Sequence, residues 1–252
     1  MTELQTLSGA GVELAYEERG SGPPVVLVHG MGDDRTSWRP FAEELADVAH
    51  VVLYDRRGYG DSSAPEHYAR TTINEQAEDL AALMDGLGLS GALLCGLDIG
   101  ALVVLDVLIR HGARAAGAVL VDPPLFMLVR DATEPLAAER AALEQALRDG
   151  GPPRAVEAWL EPAAPDPART ARARLAARAF FADYGGLATL PIARATVRAI
   201  TVPVDVTDGA RSAPHVRAAA DALAQLLPDA RRLEGVPLAD VVRERVAAGR
   251  RP

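Results

Sequence analysis

Hydrophobic and polar positions change period several times along the chain, and the changes lay out alternating strands and helices. Val12-Glu13-Leu14-Ala15-Tyr16 alternates with the two-residue period of a half-buried strand. Pro24-Val25-Val26-Leu27-Val28 is continuously apolar, as a parallel strand buried on both faces is. Glycines and Pro23 separate the two runs. Further apolar runs predict strands over 50–54, 92–95 and 118–121, then over 202–206 and 231–233. Pro203 is tolerable there because it falls at a strand start.

Helical spacing fills the gaps, over 38–48, 102–110, 216–227 and 238–248. Thr72-Ile73-Asn74-Glu75 is a capping box, a hydroxyl and a carboxylate three residues apart that satisfy orphan amides reciprocally. The helix it starts carries Ala77, Leu80, Leu83 and Met84 on one face. Strand–helix alternation of this kind predicts the α/β class, a mostly parallel twisted sheet with helices on both faces.

Residues 124–190 interrupt the rhythm with helical stretches over 134–147, 154–160 and 167–184. Gly150-Gly151-Pro152-Pro153 and Pro162-Ala163-Ala164-Pro165 separate them. Trp159, Phe180 and Phe181 need burial, so this is a helical insertion over one end of the sheet rather than a linker. The expected organisation is a core over 1–123 and 191–252 with a helical cap over 124–190.

The chain has 252 residues and a formal charge of −9, which suits one α/β domain with an insertion and argues against a nucleic-acid partner. All 26 cationic side chains are arginine, so mechanisms needing a lysine Schiff base or a P-loop lysine are excluded. Cys95 is the single cysteine, which excludes an internal disulfide and a cysteine zinc site. With no Gly-rich dinucleotide motif and no metal-ligand cluster, neither cofactor nor metal is expected. The first five residues lack the basic and apolar regions of a signal peptide. The most apolar stretch, 91–109, is broken by Asp98 and Asp106, so no membrane span and a cytoplasmic location are expected.

Candidate chemistry centres on Gly96-Leu97-Asp98-Ile99-Gly100, which follows an apolar strand and opens an apolar helix. It is the G-x-S-x-G pattern with Asp in place of Ser. Such a turn needs small flanking residues and lifts its central side chain above the sheet, at a helix N-terminus where the next N–H can stabilise an anion. An ordinary helix N-cap would also choose Asp, but two glycines flanking it at equal spacing favour the elbow. His29-Gly30-Met31-Gly32 follows the second buried strand, and Asp55-Arg56-Arg57-Gly58-Tyr59-Gly60-Asp61-Ser62 the third.

Together these motifs resemble the α/β-hydrolase superfamily over essentially the whole chain, and the aspartate resembles its epoxide hydrolase and haloalkane dehalogenase branch. The resemblance implies that the Asp98 carboxylate attacks carbon to form an ester, which a histidine-activated water then cleaves. It also implies that the Met31 and Ile99 amides hold the oxyanion, with His29 supporting the loop rather than acting as base.

The chain departs from that pattern in several places. The catalytic acid is expected where Ser212 stands, and the catalytic histidine loop is replaced by Leu233-Glu234-Gly235-Val236-Pro237. Asp122 is the substitute acid or base, and His215 or His67 the histidine that could be relocated. Of the pair of cap tyrosines that epoxide hydrolases use, only Tyr184 is present. The halide-binding tryptophan of dehalogenases is Ile99. Phe180, Phe181 and Tyr184 are expected on the cap side of the pocket, Trp38 near its mouth, and Cys95 in the core.

Without a general base, worth roughly 10²–10⁴-fold, an Asp98 ester turns over slowly. Three readings follow. The leading one is a non-hydrolytic tailoring enzyme of secondary metabolism, antibiotic biosynthesis included. There Asp98 acts as a base on a bulky aromatic, polyketide-like substrate, with cofactor-independent oxygenation by O2. The alternative is an epoxide hydrolase with Asp98 as nucleophile and a relocated base. The third is a non-catalytic small-molecule binding protein.

Overall fold

The computed structural model describes residues 4–163, 165–190 and 192–249. Met1–Glu3 of the N-terminal segment, Ala164 of the second helix breaker and Pro191 at the expected boundary lie outside the described residues.

Eight strands form one sheet: β1 (Gln5–Ser8), β2 (Glu13–Gly20), β3 (Pro24–Val28), β4 (His50–Tyr54), β5 (Ala92–Leu97), β6 (Ala115–Val121), β7 (Val204–Thr207) and β8 (Ala230–Leu233). Their order is β1-β2-β4-β3-β5-β6-β7-β8. β2 pairs antiparallel with β1 and β4, and every other pairing is parallel. The helices are α1 (Arg39–Leu45), α2 (Ile73–Gly86), α3 (Ile99–His111), α4 (Thr133–Leu160), α5 (Pro167–Leu175), α6 (Ala177–Gly186), α7 (Arg194–Arg198), α8 (Pro214–Leu226) and α9 (Leu238–Gly249). This is the α/β-hydrolase architecture. No helix among the described residues is long and apolar enough to cross a membrane.

The two-residue period of the strands divides the core between the faces of the sheet. Val26 and Val28 pack with α2, α3 and α8, whereas Val25 and Leu27 pack with α1 and α9. Cys95 lies in the second cluster, fully buried, where burial pushes its thiol up to about 12. The capping box forms as the sequence requires: Thr72 Oγ1 accepts from the Glu75 amide at 3.1 Å and the Glu75 carboxylate from the Thr72 amide at 2.7 Å.

Two expectations are corrected and one holds. Strand β1 was not anticipated, because Gln5-Thr6-Leu7-Ser8 has one apolar residue and is held at the sheet edge by backbone pairing with β2. Gly150-Gly151-Pro152-Pro153 separates two helical stretches within α4, as expected, by a kink. Only the two glycines leave helical geometry (φ −152° and 74°), and the prolines fit the first turn of the resumed helix. The expected helix over 167–184 is two, α5 and α6, divided at Ala176 (φ −85°, ψ 11°). Phe180 is fully buried, while Trp159 and Phe181 are half-buried.

Candidate active site

Chain geometry at the end of β5 forces the Asp98 side chain upward. Asp98 has φ 52° and ψ −122°, a strained conformation for a residue with a Cβ. The flanking glycines permit the turn: a Cβ on Gly96 would stand 2.4 Å from the Gly100 carbonyl oxygen, and one on Gly100 would stand 2.4 Å from that of Val28. Although Asp98 precedes α3, its side chain makes no capping hydrogen bond to the helix. Instead its Oδ2 accepts from the Met31 amide across the turn, at 3.0 Å. Burial pushes the carboxyl up to about 6; the Met31 and Ile99 amides and the Arg56 charge oppose this, and Asp122 adds to it.

The loop carrying Met31 is held from below. His29 is fully buried, donating from Nδ1 to the Gly30 carbonyl at 2.9 Å and accepting at Nε2 from the Arg56 amide at 3.0 Å. Burial and the Arg56 charge hold its imidazole well below the usual range, so it is neutral. Both ring nitrogens are occupied, which leaves no capacity for proton transfer. A Cβ on Gly30 would stand 3.2 Å from that of Asp98, so the loop packs directly on the carboxylate.

Asp122 ends β6 beside the elbow. Its Oδ1 accepts from Ser212 Oγ at 2.6 Å and from the Gly209 amide at 3.3 Å. Ser212 thus stands at the expected acid position as a partner of Asp122. Burial raises the Asp122 carboxyl, while the Ser212 and Gly209 hydrogen bonds oppose the rise. The β8–α9 connection carries no histidine.

No hydrogen bond or ion pair joins a histidine to Asp98 among the described residues. His215 pairs with Glu139 of α4 at 3.1 Å and packs against the Phe126 ring with centroids 5.2 Å apart. His67 is exposed, His50 pairs with Glu18 at the other end of β4, and His111 pairs with Glu78.

Trp159, Phe180, Phe181 and Tyr184 pack as one aromatic cluster between α4 and α6, with ring centroids 5.4–6.4 Å apart. The charges acting on the Tyr184 hydroxyl are Arg140, Glu144 and Glu139 of α4. Trp38 is buried against Phe41, its Nε1 without a partner. It lines a cavity of about 450 Å³ together with Asp33, Ser37 and Leu97, the neighbour of Asp98; Arg169 and Arg172 of α5 close the other side. Arg169 is paired with the buried Asp33 at 2.9 Å.

Two groups escaped the sequence reading. Arg56 lies within a quoted motif, but nothing in the motif says that its guanidinium turns back under the Met31 loop. Asp183 sits among aromatic residues of α6 and is fully buried, where it meets Arg56 at 2.9 Å. An acidic residue in an apolar helix face was the available signal.

Comparison with known proteins gives a match to the alpha/beta hydrolase fold family over residues 23–184. Epoxide hydrolase A of Mycobacterium tuberculosis is 38% identical over 117 residues, 45% of this chain and 36% of that protein. Bifunctional epoxide hydrolase 2 of Sus scrofa is 33% identical over 117 residues, 46% of this chain and 21% of that protein. The matches therefore span less than half of these relatives. Among solved structures, an alpha/beta hydrolase from Sphaerobacter thermophilus superimposes with a TM-score of 0.75 at 29% identity, over 96% of this chain and 99% of that one.

Proposed function

The chain belongs to the alpha/beta hydrolase family, and on that premise we propose that it opens epoxides, with Asp98 as nucleophile. The observation that carries this reading is the Asp98 carboxylate at the elbow, with Oδ2 on the Met31 amide. The names of the two relatives support the epoxide as substrate class. They lend nothing to oxygenation, which ranks second.

In the first step Asp98 Oδ1 attacks an epoxide carbon. The ring C–O bond breaks, an ester forms, and the alkoxide takes a proton from water, leaving hydroxide. In the second step water attacks the Asp98 carbonyl carbon after giving a proton to Asp122. The resulting oxyanion faces the Met31 and Ile99 amides. Collapse breaks the bond between the carbonyl carbon and Oδ1, which leaves with the substrate and takes the proton from Asp122. A diol leaves, and Asp98, released as the acid, neutralises the hydroxide. The net reaction is epoxide plus water to diol.

Asp122 is assigned the second step because it ends the neighbouring strand and its charge acts on Asp98. His215, committed to Glu139 and Phe126, is not. We assign the helices α4–α6 the role of a cap whose aromatic cluster accommodates an apolar substrate. Incubation with styrene oxide tests the reading. Diol formation with an acid limb near pH 6, lost in Asp98→Asn, is expected; diol formation unchanged by that substitution would refute it.

A further inference from the structure

The Gly30–Met31 peptide touches Asp98, and both ends of it are engaged. Its N–H, from Met31, donates to Asp98 Oδ2 at 3.0 Å. Its carbonyl, on Gly30, accepts twice: from His29 Nδ1 at 2.9 Å and from Arg56 Nη2 at 3.0 Å. A carbonyl drawn by two donors, one cationic, makes its own N–H a stronger donor, because hydrogen bonds in a chain polarise one another. Arg56 also donates from Nε to the His29 carbonyl at 3.0 Å, so its planar fork spans two consecutive peptides.

Arg56 is itself held from the other side. It is 1% exposed, pairs with Asp183 of α6 at 2.9 Å, donates to Gln76 Oε1 and lies 4.7 Å from the Tyr59 ring. Asp183 is saturated, accepting from Tyr59 at 2.7 Å and from Gln76 at 2.8 Å. One buried network therefore runs from a cap helix to the nucleophile: Asp183, Arg56, the Gly30–Met31 peptide, Asp98.

We propose that Arg56 is a positioning residue for Asp98, fixing and polarising the peptide that holds the carboxylate, and that Asp183 fixes Arg56 only when the cap is docked. The proposal rests on Asp98 being the reactive group. Docking of α6 then completes the oxyanion site, and displacement of α6 loosens it. The charged groups acting on Asp98 are Arg56 from the end of β4 and Asp122 from the end of β6. Those acting on Arg56 are Asp183, Tyr59 and Tyr54.

The test is a carbon-13 NMR titration of the Asp98 carboxyl, together with the proton shift of the Met31 amide. Arg56→Lys keeps the charge but cannot span two carbonyls, so the Met31 resonance is expected upfield; an unmoved resonance overturns the proposal. Asp183→Asn separates positioning from field by sign. Loss of a distant negative charge alone would lower the Asp98 midpoint, whereas a loosened Arg56 raises it, by about half a pH unit or more. A fall overturns the proposal, and so does an unchanged midpoint. Should either variant fail to fold by circular dichroism, Arg56→Met with Asp183→Leu removes the pair without leaving a buried charge. There the midpoint is expected to rise and the amide to move upfield, and absence of either change overturns the proposal. Styrene oxide is added to the same samples, and cleavage of the Asp98 ester is expected to slow about tenfold in the variants. No adduct in the unsubstituted protein would strike the epoxide reading, while the titration still decides the role of Arg56.

Discussion

Asp98 and Asp122 end neighbouring parallel strands and are the only non-glycine residues at positive φ among the described residues, at 52° and 49°. Their amides extend two adjacent ladders in the same way: the Asp98 amide donates to the Val121 carbonyl of β6 at 2.9 Å, and the Asp122 amide to the Thr207 carbonyl of β7 at 3.0 Å. Each such conformation costs about 1–3 kcal/mol and persists where the surroundings over-determine it. These two strained carboxylates, at the same end of the sheet, are the pair to which the proposed function assigns attack and proton transfer.

Replacing Asp98 by asparagine is expected to stabilise the fold. The Asp98 carboxyl titrates near 6 in the folded protein, above its ordinary value, so the folded state disfavours the charged form. That penalty is complete above pH 6 and absent below about pH 4, where folded and unfolded chains are both protonated. Asp98→Asn should therefore raise stability by about 3 kcal/mol at pH 7 and by almost nothing at pH 3.5. Urea titrations at the two pH values check this.

Asp122→Asn should slow ester cleavage about 10²-fold, the contribution of a positioned base. It should also move the acid limb of Asp98 alkylation downward, because the Asp122 charge raises the Asp98 carboxyl. His215→Ala should leave both unchanged. Intact-mass kinetics after one addition of styrene oxide would separate the two variants.

The elbow glycines admit no methyl group. A Cβ on Gly100 meets the Val28 and His29 carbonyl oxygens at 2.4 and 2.7 Å, both backbone atoms that cannot swing aside. Gly100→Ala should cost about 3 kcal/mol or more, with β3 and α3 forced apart. Its thermal midpoint should fall far below that of Gly112→Ala, where nothing lies within 4 Å.

Arg169 fastens α5 to the loop after β3 through its two contacts with Asp33, at 3.0 and 2.9 Å. Asp33 is 3% exposed, so removing the arginine leaves a buried carboxylate short of its partner. Arg169→Ala should lower stability by about 1–3 kcal/mol, and Arg169→Ala with Asp33→Asn should recover part of it. Denaturation of the single and double variants measures the coupling.

Local signals in the sequence were read correctly where the physics is local. The period of the strands, the Thr72 capping box and the glycine spacing around Asp98 each depend on residues a few positions apart. What escaped depends on the third dimension. Strand β1 has no hydrophobic pattern because it is held by main-chain pairing at an edge. The division of α5 from α6 falls at Ala176, with no glycine or proline to mark it. Arg56 and Asp183 are 127 positions apart, and their joint burial beneath the Met31 loop leaves no trace in either local pattern. Ser212 was singled out as a vacancy in the family pattern, and its hydrogen bond to Asp122 became visible only in the structure.

The central claim is that Asp98 forms a covalent ester whose carbonyl carbon is the point attacked by water. A single turnover with styrene oxide in oxygen-18 water tests it most directly. Oxygen-18 in the Asp98 peptide, with unlabelled diol from the first turnover, is the predicted result. Label in the diol and none in Asp98 would mean that water attacks the epoxide directly, and would contradict the account.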